Sequence, residues 1–89
     1  MDEFIPGNFD VDVLPNPNNG EMSISFGETE GMVNVTVYDM LGQTIDRFSL
    51  NAVPQSRHSY HLGGQKSGIY LFVFNSNGNT IGKKVVITK

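Results

Sequence analysis

Two residue types are missing from this 89-residue chain: cysteine and tryptophan. Without cysteine the chain can form no disulfide framework, no thiolate metal site and no cysteine nucleophile. No apolar run approaches the ~18 residues of a membrane-spanning helix, so we expect no transmembrane segment. The first residues, Met1–Phe4, are acidic where a secretory signal peptide is basic, and we expect no signal peptide here.

Charge is also scarce: charged residues make up 17% of the chain, and the net charge at pH 7 is −3. A nucleic-acid partner requires a basic surface that neutralises phosphates, so this balance argues against nucleic-acid binding. Every acidic residue precedes position 47, and every basic residue lies at or after it. Two interpretations are open: the strands interleave and mix the charges, or a basic C-terminal strand faces an acidic partner.

Turn formers supply much of the polarity, with ten glycines, four prolines and many asparagines. Between them run short segments of alternating apolar and polar residues, at intervals of about 8–12 residues, which is typical of a β-sandwich. We therefore predict one all-β domain, an immunoglobulin-like sandwich of about seven antiparallel strands, over residues 9–89. Residues 1–8 have no periodicity and include Pro6 and Gly7, so they are interpreted as a tether.

The alternation also predicts which side chains form the core. The predicted strands are Phe9–Leu14, Met22–Phe26, Met32–Tyr38, Gln43–Leu50, Ser56–Leu62, Ile69–Phe74 and Asn79–Lys89. The inward side chains of the first three are Phe9, Val11, Val13, Met22, Ile24, Phe26, Val33, Val35 and Val37. The sixth strand is apolar on both faces, so we expect it to be central and covered on each side. Asn77-Gly78 predicts a tight hairpin before the last strand.

The chemistry-bearing residues do not form a catalytic pattern. His58 and His61 are three apart, which on a strand places them on opposite faces, where they cannot share a metal ion. Ser56 and Ser59 lack the Gly-x-Ser-x-Gly context of a hydrolase nucleophile. Gly68 precedes a strand, whereas a phosphate-binding loop precedes a helix. We therefore expect no catalytic residue, no cofactor, no metal and no enzymatic activity.

Four motifs follow one another along the chain, and the last of them ends it. They are Leu14–Gly20, Val35–Gln43, Ser67–Phe72 and Lys83–Lys89. In this order they resemble the type A C-terminal sorting domain of proteins exported by the type IX (Por) secretion system of Bacteroidetes. The resemblance extends from about Phe9 to Lys89.

The resemblance implies a non-catalytic signal that directs an N-terminal cargo through the outer membrane. The implied partners are the type IX translocon, outer-membrane shuttle proteins and a sortase-like cysteine protease, which removes the domain and anchors the cargo at the cell surface. The cargo would pass through the periplasm to the surface or the medium, with cleavage expected in residues 1–8. The alternative is an immunoglobulin-like module, appended to a secreted enzyme, that binds carbohydrate or protein.

The resemblance also separates candidate recognition residues from residues of the family motifs that serve folding. The candidate recognition residues are Lys83, Lys84, Val85, Val86, Ile87, Thr88 and Lys89. The motif residues with a structural role are Pro15, Asn16, Pro17, Gly20, Tyr38, Asp39, Gly42, Gly68 and Tyr70.

Lys83 and Lys84 are adjacent, so on a strand they point to opposite faces. An inward line of Ile81, Val85 and Ile87 places Lys83 on the core side, which requires a bulge or an open sheet edge. Two roles are open for these lysines: protection of the edge against aggregation, or contact with an acidic surface of the translocon machinery. A last strand at a sheet edge would also allow β-augmentation by a receptor.

Overall fold

The computed structural model describes residues 10–76 and 78–89. These residues form seven strands: β1 (Val11–Leu14), β2 (Glu21–Phe26), β3 (Gly31–Tyr38), β4 (Thr44–Ala52), β5 (Arg57–His61), β6 (Gly68–Ser76) and β7 (Asn79–Ile87). Every pairing between them is antiparallel. The predicted all-β sandwich is confirmed, although β4 extends to Ala52 and β5 is shorter than expected. The predicted tether, residues 1–8, and Phe9 lie outside the described residues.

The strands form a three-stranded sheet, in the order β1-β2-β5, and a four-stranded sheet, in the order β4-β3-β6-β7. The core lies between them because every second side chain of each strand is apolar and points inward. The predicted inward side chains of β1, β2 and β3 that the structure describes are all buried. Aromatic rings then join the two sheets: Tyr60 of β5 stacks on Phe48 at 4.7 Å and meets Phe72 edge-on at 5.8 Å.

β6 lies between β3 and β7, as expected for a central strand, but only one of its faces is covered. Tyr70, Phe72 and Phe74 are buried, whereas Ile69 and Leu71 are 42% and 38% exposed. The expectation that both faces are covered was therefore wrong. The three-stranded sheet covers the inner face of β6, and the described residues supply no third layer for the outer face.

The predicted turn at Asp39–Gly42 joins β3 to β4 and projects two apolar side chains outward. The carboxylate Oδ1 of Asp39 accepts the N–H groups of Leu41 and Gln43, both at 2.9 Å. Gly42 has a φ of +83°, a conformation that favours glycine. Met40 and Leu41 are consequently held at the tip of the turn, 73% and 84% exposed.

A hydrogen bond between the sheets links Tyr60 of β5 to Asp46 of β4, with 2.6 Å between the hydroxyl and Oδ2. Partial burial, followed by this bond and the negative charge of Asp46, raises the pKa of Tyr60 well above its usual range. The neutral phenol is therefore favoured in the folded state. The stabilisation of the fold by the neutral Tyr60 is complete below the pKa of an unfolded tyrosine, which is about 10. This stabilisation is lost as the pH rises above that value.

We expect the free energy of unfolding to decrease between pH 9 and pH 11, and Tyr60→Phe to show a smaller decrease because it lacks this ionisation. Urea unfolding of both proteins at the two pH values measures the difference. An equal decrease in the two proteins would mean that the bond to Asp46 does not hold the phenol neutral.

Candidate functional site

The C-terminal strand β7 forms an edge of the four-stranded sheet, with β6 as its neighbouring strand. The register is continuous from Ser76 opposite Asn79 to Gly68 opposite Ile87, so β7 has no bulge. Val85 and Ile87 are fully buried. Two of the seven candidate recognition residues are therefore core residues, and their side chains are not available to a receptor while the domain is folded.

Lys83 lies on the inward line of β7, as the alternation predicted, and is accommodated by the open edge of the sandwich. Its Nζ is 3.5 Å from Oδ1 of Asp12, which belongs to β1 in the other sheet. The two side chains are 39% and 62% exposed. An exposed pair of this kind contributes only about 0–1 kcal/mol, so its main effect is to place a charge in the gap between the two edge strands.

The outward main chain of β7 is already partly occupied by the Leu14–Gly20 motif. The Asn16 amide accepts the N–H of Val86 at 2.8 Å and donates to the carbonyl of Lys84 at 2.9 Å. The main-chain N–H of Asn18 donates to the Val86 carbonyl at 2.9 Å, and its carbonyl accepts the N–H of Thr88 at 2.7 Å. We call Asn16 and Asn18 the asparagine clasp.

The asparagine clasp restricts where another strand can pair with β7. Along β7, residues whose main-chain N–H and C=O groups face β6 alternate with residues whose groups face the open edge. The residues with outward groups are Thr80, Gly82, Lys84 and Val86. Among the described residues, the outward main-chain groups of Thr80 and Gly82 have no partner. β-Augmentation along the whole last strand would thus require the clasp to open, whereas pairing at Thr80 and Gly82 would not.

The clasp is held in place by its own side-chain bonds. Asn18 is buried, and its Oδ1 accepts the N–H of Gly20 at 2.8 Å while its Nδ2 donates to the carbonyl of Pro15 at 3.0 Å. Gly20 has a φ of +108°, and an added Cβ would lie 3.0 Å from the carbonyl oxygen of Leu62. The peptide bonds before Pro15 and Pro17 are both cis.

The third motif forms the start of β6. The buried Tyr70 donates its hydroxyl to the carbonyl of Lys66 at 2.6 Å, which ties the preceding loop to the strand. The hydroxyl of Ser67 accepts the N–H of Lys89 at 2.8 Å, which attaches the chain end to the same loop. Gly68 begins the strand, and an added Cβ there would meet only the ring of Tyr70 at 4.0 Å. The space around Gly68 therefore does not explain why the motif has glycine there.

The two histidines lie on opposite faces of β5, as predicted. His58 points inward and meets the ring of Phe26 edge-on at 5.6 Å. His61 points outward, with Nδ1 3.8 Å from Oε2 of Glu21, and both side chains are mostly exposed. Residues 10–76 and 78–89 contain no group of three or more histidine, aspartate or glutamate side chains placed to hold a metal ion. In the same ranges, no helix has the length and apolarity needed to span a membrane.

The model of the family described as the secretion system C-terminal sorting domain matches residues 12–88. The chain belongs to this family. The match runs from the second residue of β1 through β7, with the loops between the strands. The resemblance drawn from the four motifs is confirmed, and the chain is a type IX C-terminal secretion signal, of the kind carried by exported cargo proteins.

Two known proteins are similar to this chain. An endo-acting ulvan lyase of Formosa agariphila is 36% identical over 79 residues, which are 88% of this chain and 15% of that protein. The crystal structure of dimeric latent PorU from Porphyromonas gingivalis superposes with a TM-score of 0.69 at 20% identity. The superposition covers 99% of this chain and 10% of the PorU chain, and it shows that the two share a fold. The sorting domain thus spans only a small part of either protein.

Proposed function

We propose that the sorting domain follows a secreted enzyme, directs it from the periplasm through the type IX translocon, and is removed by a sortase-like cysteine protease. Shuttle proteins of the outer membrane would receive the cargo, which would then be anchored at the cell surface or released. The domain itself would perform no catalysis. The observation that carries this proposal is the family match over residues 12–88, which includes all of the described sandwich except the first residue of β1.

The identity of the cargo is part of the same proposal. The similar region of the ulvan lyase is a small fraction of that protein, so the remainder of that protein is its cargo-like part. By analogy, a polysaccharide-degrading enzyme is the class of cargo that we propose for this chain.

The structure suggests different roles for the two adjacent lysines. Lys83 faces inward and lies against Asp12 at the open side of the sandwich, which fits edge protection. Lys84 is exposed on the outer face of the sheet, where no carboxylate of the described residues pairs with it. Lys84 is therefore the lysine that we propose for contact with an acidic surface of the export machinery.

The proposal is tested by fusing residues 1–89 to an inert reporter behind a periplasmic signal peptide, in a bacterium that has the type IX apparatus. We expect reporter at the surface or in the medium, with the domain removed, and retention of a reporter without the domain. Retention of both, with the domain folded, would favour the alternative of an appended binding module.

Two substitutions in the same fusion separate the roles of the lysines. We expect Lys84→Gln to lower the exported fraction about threefold or more, because it removes the positive charge from the proposed contact. Lys83→Gln should leave export unchanged. Thermal unfolding of the purified variants shows whether both remain folded. Equal export by the two folded variants would remove Lys84 from the recognition site while leaving the role of the whole domain intact.

A further inference from the structure

The outer face of the four-stranded sheet carries a cluster of exposed apolar side chains at one end. We call it the sheet-end patch; it consists of Tyr38, Met40, Leu41, Ile69, Leu71 and Val86. The strand register makes it continuous: Leu71 lies opposite Tyr38 of β3 on one side and Lys84 of β7 on the other, and Ile69 lies opposite Val86. Four of its members are exposed by 38% to 84%.

Clustering distinguishes this patch from the scattered apolar residues that every protein surface carries. The other large exposed apolar side chains are Leu14, Met32 and Val53. Leu14 belongs to the other sheet. Met32 lies on the same sheet, but at the opposite end, opposite Asn51 of β4.

The patch is also held in shape. The Asp39 carboxylate fixes the turn that carries Met40 and Leu41. A hollow of about 190 Å³ separates this turn from the start of β6 and is lined by residues 39–41 and 67–70. The Ser67 and Tyr70 hydrogen bonds fix the opposite wall of the hollow. A surface organised in this way loses little conformational freedom when a partner covers it.

Three cations lie at or beside the patch. Lys84 lies beside Leu71 within it, and Arg47 lies on the same face of β4, opposite Thr36. Lys66 precedes Ser67 at the hollow, where the carboxylate of Asp39 already accepts two backbone N–H groups. Within residues 10–76 and 78–89, none of these three cations forms an ion pair with a carboxylate.

We propose that the sheet-end patch docks the sorting domain onto a protein of the export machinery that presents an apolar surface surrounded by acidic residues. This inference rests on the proposed function and extends the contact at Lys84 to a defined surface. A protein fits better than an anionic lipid surface, because the net charge of −3 opposes approach to a uniformly negative membrane. A protein can place its carboxylates only where the cations lie.

The reporter fusion tests the apolar part of the surface through Leu41→Ser and Leu71→Ser, with Met32→Ser as the matched control. We expect each patch variant to lower the exported fraction about tenfold or more, as loss of a central interface residue does. Met32→Ser removes a side chain of the same face whose exposure, 58%, lies between those of Leu71 and Leu41, and it should be exported normally. Circular dichroism and thermal unfolding of the purified domains establish that all three remain folded.

Normal export of folded Leu41→Ser and Leu71→Ser would overturn the proposed surface even though the unmodified fusion is exported. Retention of the unmodified fusion would instead overturn the proposed function and this inference with it.

A charge reversal tests the acidic character of the partner. Lys84→Glu should reduce export further than Lys84→Gln, because it places a like charge against the acidic rim. Equal export of the two variants would overturn an acidic partner.

Vesicles of phosphatidylcholine and phosphatidylglycerol test the membrane as the occupant of the patch. We expect no co-sedimentation of the domain with them. Co-sedimentation that Leu41→Ser abolishes would overturn the protein partner in favour of a lipid surface.

Discussion

A sorting domain shortened by Lys83–Lys89 is expected to be unfolded. The deletion removes Val85 and Ile87, both fully buried, and loss of such a side chain costs about 2–4 kcal/mol. It also removes the partners of Asn16 and Asn18, whose hydrogen bonds contribute about 0.5–1.5 kcal/mol each. The sum reaches the total stability of a small domain, which is about 5–10 kcal/mol.

Circular dichroism and urea unfolding of the purified truncated chain measure this effect. The matched control is the chain without Lys89 alone. It loses the bond from the Lys89 N–H to Ser67, but it loses no buried side chain. We expect the control to unfold cooperatively and the seven-residue deletion to show no transition. A cooperative transition in the longer deletion would contradict the role of Val85 and Ile87 in the core.

This expectation affects how export experiments are interpreted. If the seven-residue deletion is unfolded, its retention in the periplasm shows only that the signal must be folded. Point substitutions at Lys84 and in the sheet-end patch leave the core side chains in place, and they are therefore the variants that test recognition itself.

Asn18→Ala is expected to destabilise the domain by about 2–3 kcal/mol. The substitution leaves the N–H of the buried Gly20 without its side-chain partner, and it removes the bond to the carbonyl of Pro15. For a domain of this size the melting temperature should fall by about 10–20 °C. The loop would also release β7, since the main chain of Asn18 bonds Val86 and Thr88.

Asn19→Ala is the matched control, because Asn19 is exposed and its Oδ1 accepts only the N–H of Glu21, at 3.2 Å. Thermal unfolding of the two variants gives the difference in stability. Hydrogen exchange at the Thr88 amide, which bonds the Asn18 carbonyl, should accelerate in Asn18→Ala and remain unchanged in Asn19→Ala. Similar melting temperatures for the two variants would mean that the asparagine clasp contributes little to the fold.

The strands could be predicted from the sequence because their signals are local. In β3, the alternation of Val33, Val35 and Val37 with polar residues specifies both a strand and its buried face. The turn at Asp39 depends on a side chain that bonds the backbone two and four residues onward. The order of the four motifs was sufficient to indicate the family that the comparison then confirmed.

The candidate site could be predicted only in part. The alternation placed Lys83 on the core side of an edge strand, and the structure shows it there. The same alternation predicted that Val85 and Ile87 point inward. The resemblance nevertheless grouped them with the recognition residues, because a sequence motif does not show which of its side chains are accessible. The exposed turn of Met40 and Leu41 was part of a motif, but no local signal showed that β6 lies beside it.

The sequence by itself determined the strand pattern, the turns and the family, because each depends on residues that are neighbours along the chain. The tertiary structure decided which face of β6 is left open, since apolar side chains on both faces do not show how many layers the fold has. It also decided that Asn16 bonds Lys84, 68 residues away, and that Lys83 meets Asp12, 71 residues away. These contacts arise because the packing of the two sheets brings β1 and β7 to the same open side of the sandwich, and periodicity within a strand carries no information on that placement.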